Sequence, residues 1–287
     1  MDAGRIITKK AIKGVCLAVD IYMLALIAAQ YAFYLASSAL AAIIPEIWDA
    51  AELFDGLISC CAVIFGCIII WTFAAWNAEQ SGQNISVPGC TFKRERRMPV
   101  SSFAAYAAMI FMCQIIFSVI LVALESALNL FGMTISESPA LNADYTLSPS
   151  LFLYAVIIGP AAEEFVFRGV LLKGLKPFGK VFAITVSAVC FSLMHGDIEQ
   201  ILFTFAVGVI LAYTAMEYSI FASFLLHIFN NGIISELMMF LYKVMPEAVY
   251  AVLELLLVIV CFAVTVWFVV KNINFPAEYI KENRTSE

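Results

Sequence analysis

The sequence predicts an all-α protein, a polytopic transmembrane helix bundle of about eight spans with N- and C-termini in the cytoplasm. Three observations carry this. First, 63% of the 287 residues are hydrophobic, only 13% are charged, and mean hydropathy is +0.95, against about 45–50% apolar and about 25% charged in soluble domains. Second, the apolar residues run on without alternation in stretches of about 20, which suits helices across a bilayer and excludes a β-barrel. Third, every lysine and arginine except Arg168 and Lys243 falls in segments that lie on one side if the chain starts inside and alternates; this is the positive-inside pattern. The net charge of −6 gives no sign of nucleic acid, and none is expected as a partner; the lipid bilayer is.

The spans follow in order. A basic tail with Arg5, Lys9, Lys10 and Lys13 precedes the first, at about 14–36. That run is long and contains Asp20, so it reads as a retained span and not a cleaved leader. An acidic connector with Glu46, Asp49, Glu52 and Asp55 leads to the second span, about 57–76, where Trp71 and Trp76 suit an interfacial belt. The basic cluster Lys93, Arg94, Arg96 and Arg97 precedes a long third span, from Ser101 toward Leu130, and an acidic loop over 132–149 follows it. The remaining spans lie at about 150–172, 181–195, 198–216, 220–242 and 247–270, before a polar tail with Lys271, Lys281 and Arg284. The fifth is short, and short spans end where something must be exposed. The eight cysteines fall mostly inside apolar runs without a CxxC pair, and read as small hydrophobes.

One apolar stretch breaks its own rule. GPAAEEFVFRGVL, residues 159–171, puts Glu163, Glu164 and Arg168 at membrane depth, at a cost of roughly 2.5–3.5 kcal/mol each on insertion scales. Glu164 and Arg168 stand i,i+4 with the acid first, the better order for a pair. Glu163 is turned about 100° away, so one guanidinium cannot hold both acids equally. One carboxylate is structural and its neighbour is left over. The chain has only two histidines: His195 closes FSLMH, and His227 opens HIFNN, with Asn231 one turn on. Two carboxylates, two imidazoles, a carboxamide and a guanidinium suit hydrolysis by an activated water: Glu163 as base, His195 sharing the water, and His227 with Asn231 as donors to an oxyanion. HExxH, GxSxG and P-loop patterns are absent. The bland reading makes Glu164–Arg168 a tie between helices and Phe191 packing. Asp20, Glu217 and Glu254 read as interfacial or bundle-facing groups, while Glu125 and Glu236 are candidates to support the site from behind.

EExxxR (Glu163, Glu164, Arg168), FxxxH (Phe191, His195) and HxxxN (His227, Asn231), in that order within spans, resemble the CPBP family of intramembrane proteases, also called CAAX proteases or Abi. The resemblance covers roughly residues 145–245, between N-terminal helices at 1–144 and a final helix with its tail at 246–287. It implies an intramembrane endopeptidase with all six residues, Glu163, Glu164, Arg168, His195, His227 and Asn231, in its catalytic motifs. The expected partner is a membrane-associated peptide or protein substrate, with no cofactor and no metal. An older reading of the family, zinc held by two histidines and a glutamate, suits the same ligands. A transport role also stays open, with the polar cluster lining an ion path. Against it, no internal repeat is found, and Gly159-Pro160 has no counterpart in the first half. With no added domain or retention signal, the expected location is a bacterial cytoplasmic membrane. Substrate identity and oligomeric state are left open.

Overall fold

A computed structural model describes residues 3–44, 51–80, 94–133, 148–196 and 198–283. The described residues form helices and no strand: α1 (Ala3–Ile43), α2 (Ala51–Gln80), α3 (Val100–Asn129), α4 (Pro149–Phe178), α5 (Lys180–Met194), α6 (Ile198–Glu217), α7 (Ile220–Val244), α8 (Glu247–Lys271) and α9 (Phe275–Asn283). Seven of these nine are long and apolar enough to cross a membrane, and α5 is the short apolar one. The chain is a multi-pass membrane protein. Glu46, Asp49, Lys93, Arg284 and most of the acidic loop over 132–149, which the sequence places in connectors and tails, lie outside the described residues.

Two segments differ from expectation. The basic N-terminal tail is not a separate tail: its backbone continues helically into α1, which has 41 residues. At about 1.5 Å per residue this helix is twice the thickness of a bilayer's hydrocarbon core. The C-terminal tail folds back as α9. Tyr279 donates its hydroxyl to Glu217 Oε1 at 2.8 Å, where Lys180 also pairs at 2.8 Å, and its ring meets Tyr213 edge-on.

The helix that holds the polar island is the centre of the bundle. α4 packs against α1, α2, α5, α6 and α7, and Val166 through Leu172 are buried without a break. One core joins Tyr22 of α1, Ile70 of α2 and Phe167 and Leu171 of α4 to Phe191 and Met216; a second joins Tyr106 and Ile110 of α3 to Leu211, Leu226 and Ile234. Small residues allow the close approaches, as in other membrane bundles. At Gly208 of α6 an added Cβ would meet the Phe191 ring at 3.1 Å.

A strap of residues 94–99 leads into α3, ahead of its spanning stretch. Glu95 and Arg96 both donate backbone N–H groups to Tyr218 O, and Arg96 lies over the Tyr218 ring at 4.4 Å. Lys176 and Lys173, from the end of α4, reach Glu95 at 2.8 and 3.4 Å. The Lys176 hydrogen bond holds the Glu95 carboxyl below the usual carboxylate range.

Candidate active site

The polar residues of α4 occupy an irregular helix. Tyr154–Ile158 and Glu164–Leu172 are wound as π-helix, as is Phe229–Leu237 of α7. Such turns are rare in proteins and concentrate at functional sites. Glu164, Arg168 and Asn231 stand in these widened turns, and Glu163 and His227 in the α-helical turns just before them.

Glu164 is the anchor. It is 1% exposed, pairs with Arg168 at 3.4 Å, and its Oε1 accepts from His227 Nδ1 at 3.0 Å. A carboxylate has only acceptor sites, so His227 carries its proton on Nδ1 and turns Nε2 outward. Nε2 then faces Glu163 Oε2 at 3.5 Å. Glu163 is the more open of the two acids, with its side chain 19% exposed against 1% for Glu164. The pairing of Arg168 with the second acid agrees with the i,i+4 spacing.

Arg168 is buried outright, and among the described residues its guanidinium nitrogens make no hydrogen bond. Its compensation is the Glu164 charge and the face of Phe191, 4.2 Å from the guanidinium carbon. Phe191 also meets both imidazoles edge-on, His195 at 5.0 Å and His227 at 5.7 Å, between centroids. The sequence reading gave this phenylalanine little beyond packing; here it is the surface against which three motif side chains rest.

His195 caps α5. Gly196, at φ +67°, turns the chain out of the helix, a conformation that a side chain would strain. His195 Nδ1 meets the carbonyl of Phe191 at 2.9 Å. A carbonyl requires a donor, so here too Nδ1 holds the proton and neutral Nε2 keeps a lone pair.

Asn231 is held from two sides. Its Nδ2 donates to Ala155 O at 2.9 Å, and its Oδ1 accepts from Asn230 Nδ2 at 2.8 Å. The Ala155 carbonyl is free because of the chain itself. Gly159 donates to Tyr154 O in the π-turn, and the donor next in that register is Pro160, which has no N–H. One amide hydrogen of Asn231 fills this gap, and the other remains for a ligand. The clamp from Asn230 and Pro160 was missed by sequence reading, although two adjacent asparagines in an apolar span were a signal. Of the acids read as supporting groups, Glu236 is buried on the π-wound part of α7. Glu217 lies in the α5–α6–α9 corner with Lys180 and Tyr279.

The π-wound helix, its acids and the HxxxN face fall within one recognisable stretch. Residues 146–233 match the family described as type II CAAX prenyl endopeptidase Rce1-like. The resemblance read from the three motifs therefore holds, over less than a third of the chain. The membrane-embedded CAAX protease MroQ of Staphylococcus aureus (strain USA300) is 34% identical over 95 residues, 30% of this chain and 38% of that protein. The similarity thus spans well under half of this curated relative's length. No solved structure matches the chain significantly.

Proposed function

We propose that the chain is an intramembrane endopeptidase of the CAAX-protease type. On this reading it hydrolyses a peptide bond of a membrane-associated peptide or protein, in a multi-pass cell-membrane enzyme. The observation that carries the reading is the contact between Glu163 and His227, across two helices, with His227 oriented by a second, buried carboxylate.

Glu163 takes the proton of the attacking water, and His195 Nε2, with its lone pair, positions that water and passes protons. As the tetrahedral oxyanion forms, the proton that Glu163 took from the water passes to His227 Nε2, 3.5 Å away, and this N–H and the spare N–H of Asn231 donate to the oxyanion. Glu164 stabilises that imidazolium, as a buried carboxylate does for a catalytic histidine. Arg168 balances Glu164, and Phe191 keeps the imidazoles in place.

A zinc reading would use the outward Nε2 atoms of the two histidines with Glu163. Tethered Nδ1 atoms suit metal-bound histidines as well. Against it, no three His, Cys, Asp or Glu side chains among the described residues gather closely enough to hold an ion.

The test is cleavage of a membrane-anchored reporter peptide by purified protein in detergent. Glu163→Gln should abolish turnover without changing the melting temperature, and chelators should leave the wild type active. An active Glu163→Gln protein would refute the assignment. Stoichiometric zinc, lost with activity on chelation and restoring it on return, would replace this mechanism by the metal one.

A further inference from the structure

A second concave site lies away from the polar island, where the strap enters the bundle. A cavity of about 600 Å3 opens between the strap and the start of α7, a volume within the range of about 300–1,000 Å3 that ligand sites occupy. Arg94 and Arg97 line it, and its wall is apolar, with Phe103 of α3 and Phe221 and Leu225 of α7. Phe221 is 67% exposed, and Val100, at the start of α3, is 84% exposed. The cavity therefore sits where two spanning helices begin, with charge on one side and open apolar surface on the other.

The neighbouring charges are already used. Glu95 is held by Lys173 and Lys176, and Glu217 by Lys180 and Tyr279. Arg96 spends its guanidinium on the Tyr218 ring. Among the described residues, no acidic side chain forms an ion pair with Arg94 or Arg97. An arginine fork binds phosphate oxygens well, and basic pockets between spanning helices at the membrane face take anionic headgroups.

We propose that this cavity binds one anionic phospholipid, with its phosphate between Arg94 and Arg97 and an acyl chain along Phe103, Phe221 and Leu225. The site is independent of the proteolytic reading. A peptide carboxylate would use the arginines equally well, but it would not need the exposed Val100 and Phe221 beside them; a lipid covers both.

The experiment reconstitutes the full chain in nanodiscs of equal phosphatidylglycerol and phosphatidylcholine and counts retained lipids by native mass spectrometry after extraction. Roughly fivefold per arginine at the headgroup level gives a preference of about 25-fold for phosphatidylglycerol. Arg94→Gln/Arg97→Gln should bring the ratio near unity while melting normally in phosphatidylcholine alone. Arg94→Lys/Arg97→Lys should keep most of the preference, and Arg96→Gln should keep all of it. Three results would overturn the proposal. The first is a preference that survives in the double glutamine variant, and the second is one lost as fully in Arg96→Gln. The third is a phosphatidylglycerol signal displaced by inorganic phosphate, which would mean that the apolar wall is idle.

Discussion

Glu164 meets two positive or donating groups with one carboxylate, and this double use separates it from its neighbour. Glutamine at 164 would keep the shape but remove the charge that faces Arg168, where neither side chain reaches solvent. Removing one member of a buried pair costs about 3–5 kcal/mol. Glu164→Gln is therefore predicted to lower the melting temperature and activity together, whereas Glu163→Gln lowers activity alone. Comparing the thermal denaturation of the two variants measures the difference; equal melting temperatures would mean that Arg168 does not depend on Glu164. The split between the two acids was legible in the sequence, because helical spacing alone pairs Glu164 with Arg168. The His227–Glu164 bond was not legible, since it joins residues 63 apart and depends on how α7 leans on α4. Nor was the use of Phe191: a phenylalanine in an apolar span is written identically whether it packs against lipid or against a guanidinium.

At the scale of the helix, Pro160 acts by what it lacks. Proline inside a helix removes a donor and costs about 3 kcal/mol relative to alanine in a host helix; α4 carries one in its centre, next to the acids. Pro160→Ala would return an N–H to the Ala155 carbonyl and release Asn231 from it. The expected outcome is a protein at least as stable as the wild type by thermal melting, with turnover of the reporter peptide reduced about tenfold or more and KM little changed. Unchanged turnover would show that the Asn231 amide is held well enough by Asn230. The position of α4 as a span was legible from its hydropathy, but its π-winding was not. Periodicity read at 3.6 residues per turn carries no mark of an extra residue in a turn, and Gly159-Pro160 signalled a break without giving its form. α9 escaped for a different reason. Its sequence is polar enough to read as a tail, and only Phe275 and Tyr279 hint that it packs.

For the whole molecule, the hydropathy reading recovered the eight apolar helices of the described residues, and it missed α9 and the packing of the strap. Orientation remains a matter of charge. With the N-terminus inside, the strap and the lysines at the end of α4 face the cytoplasm, and the end of α3 faces out. In a cysteine-free background, Arg97→Cys is predicted to react with an impermeant maleimide only after cells are opened, and Met133→Cys in intact cells. The reverse labelling would invert the bundle. The sequence could support this expectation because lysine and arginine placement is a property of loops. It could not reveal the strap's hold on Tyr218, which joins backbone N–H groups of Glu95 and Arg96 to a carbonyl more than a hundred residues away, with the Arg96 guanidinium over the ring.

The height of α5 has a consequence for the lipid around it. Its 15 residues rise about 22 Å, against about 30 Å of hydrocarbon, so the wall that ends at His195 stands some 8 Å short. Acyl chains cannot rest against the half-buried imidazole and the open turn at Gly196 without either thinning or admitting water. Such hydrophobic mismatch costs fractions of a kcal/mol per Å, and with α5 fixed in length the cost varies with the host membrane. Lipid chain length then becomes a rate variable. In proteoliposomes of phosphatidylcholine with progressively longer chains, turnover is predicted to fall as the bilayer thickens and buries the mouth of the site, while the melting temperature of the bundle stays level. A rate indifferent to thickness would mean that the mouth opens within the protein and not through a dent in the membrane beside α5.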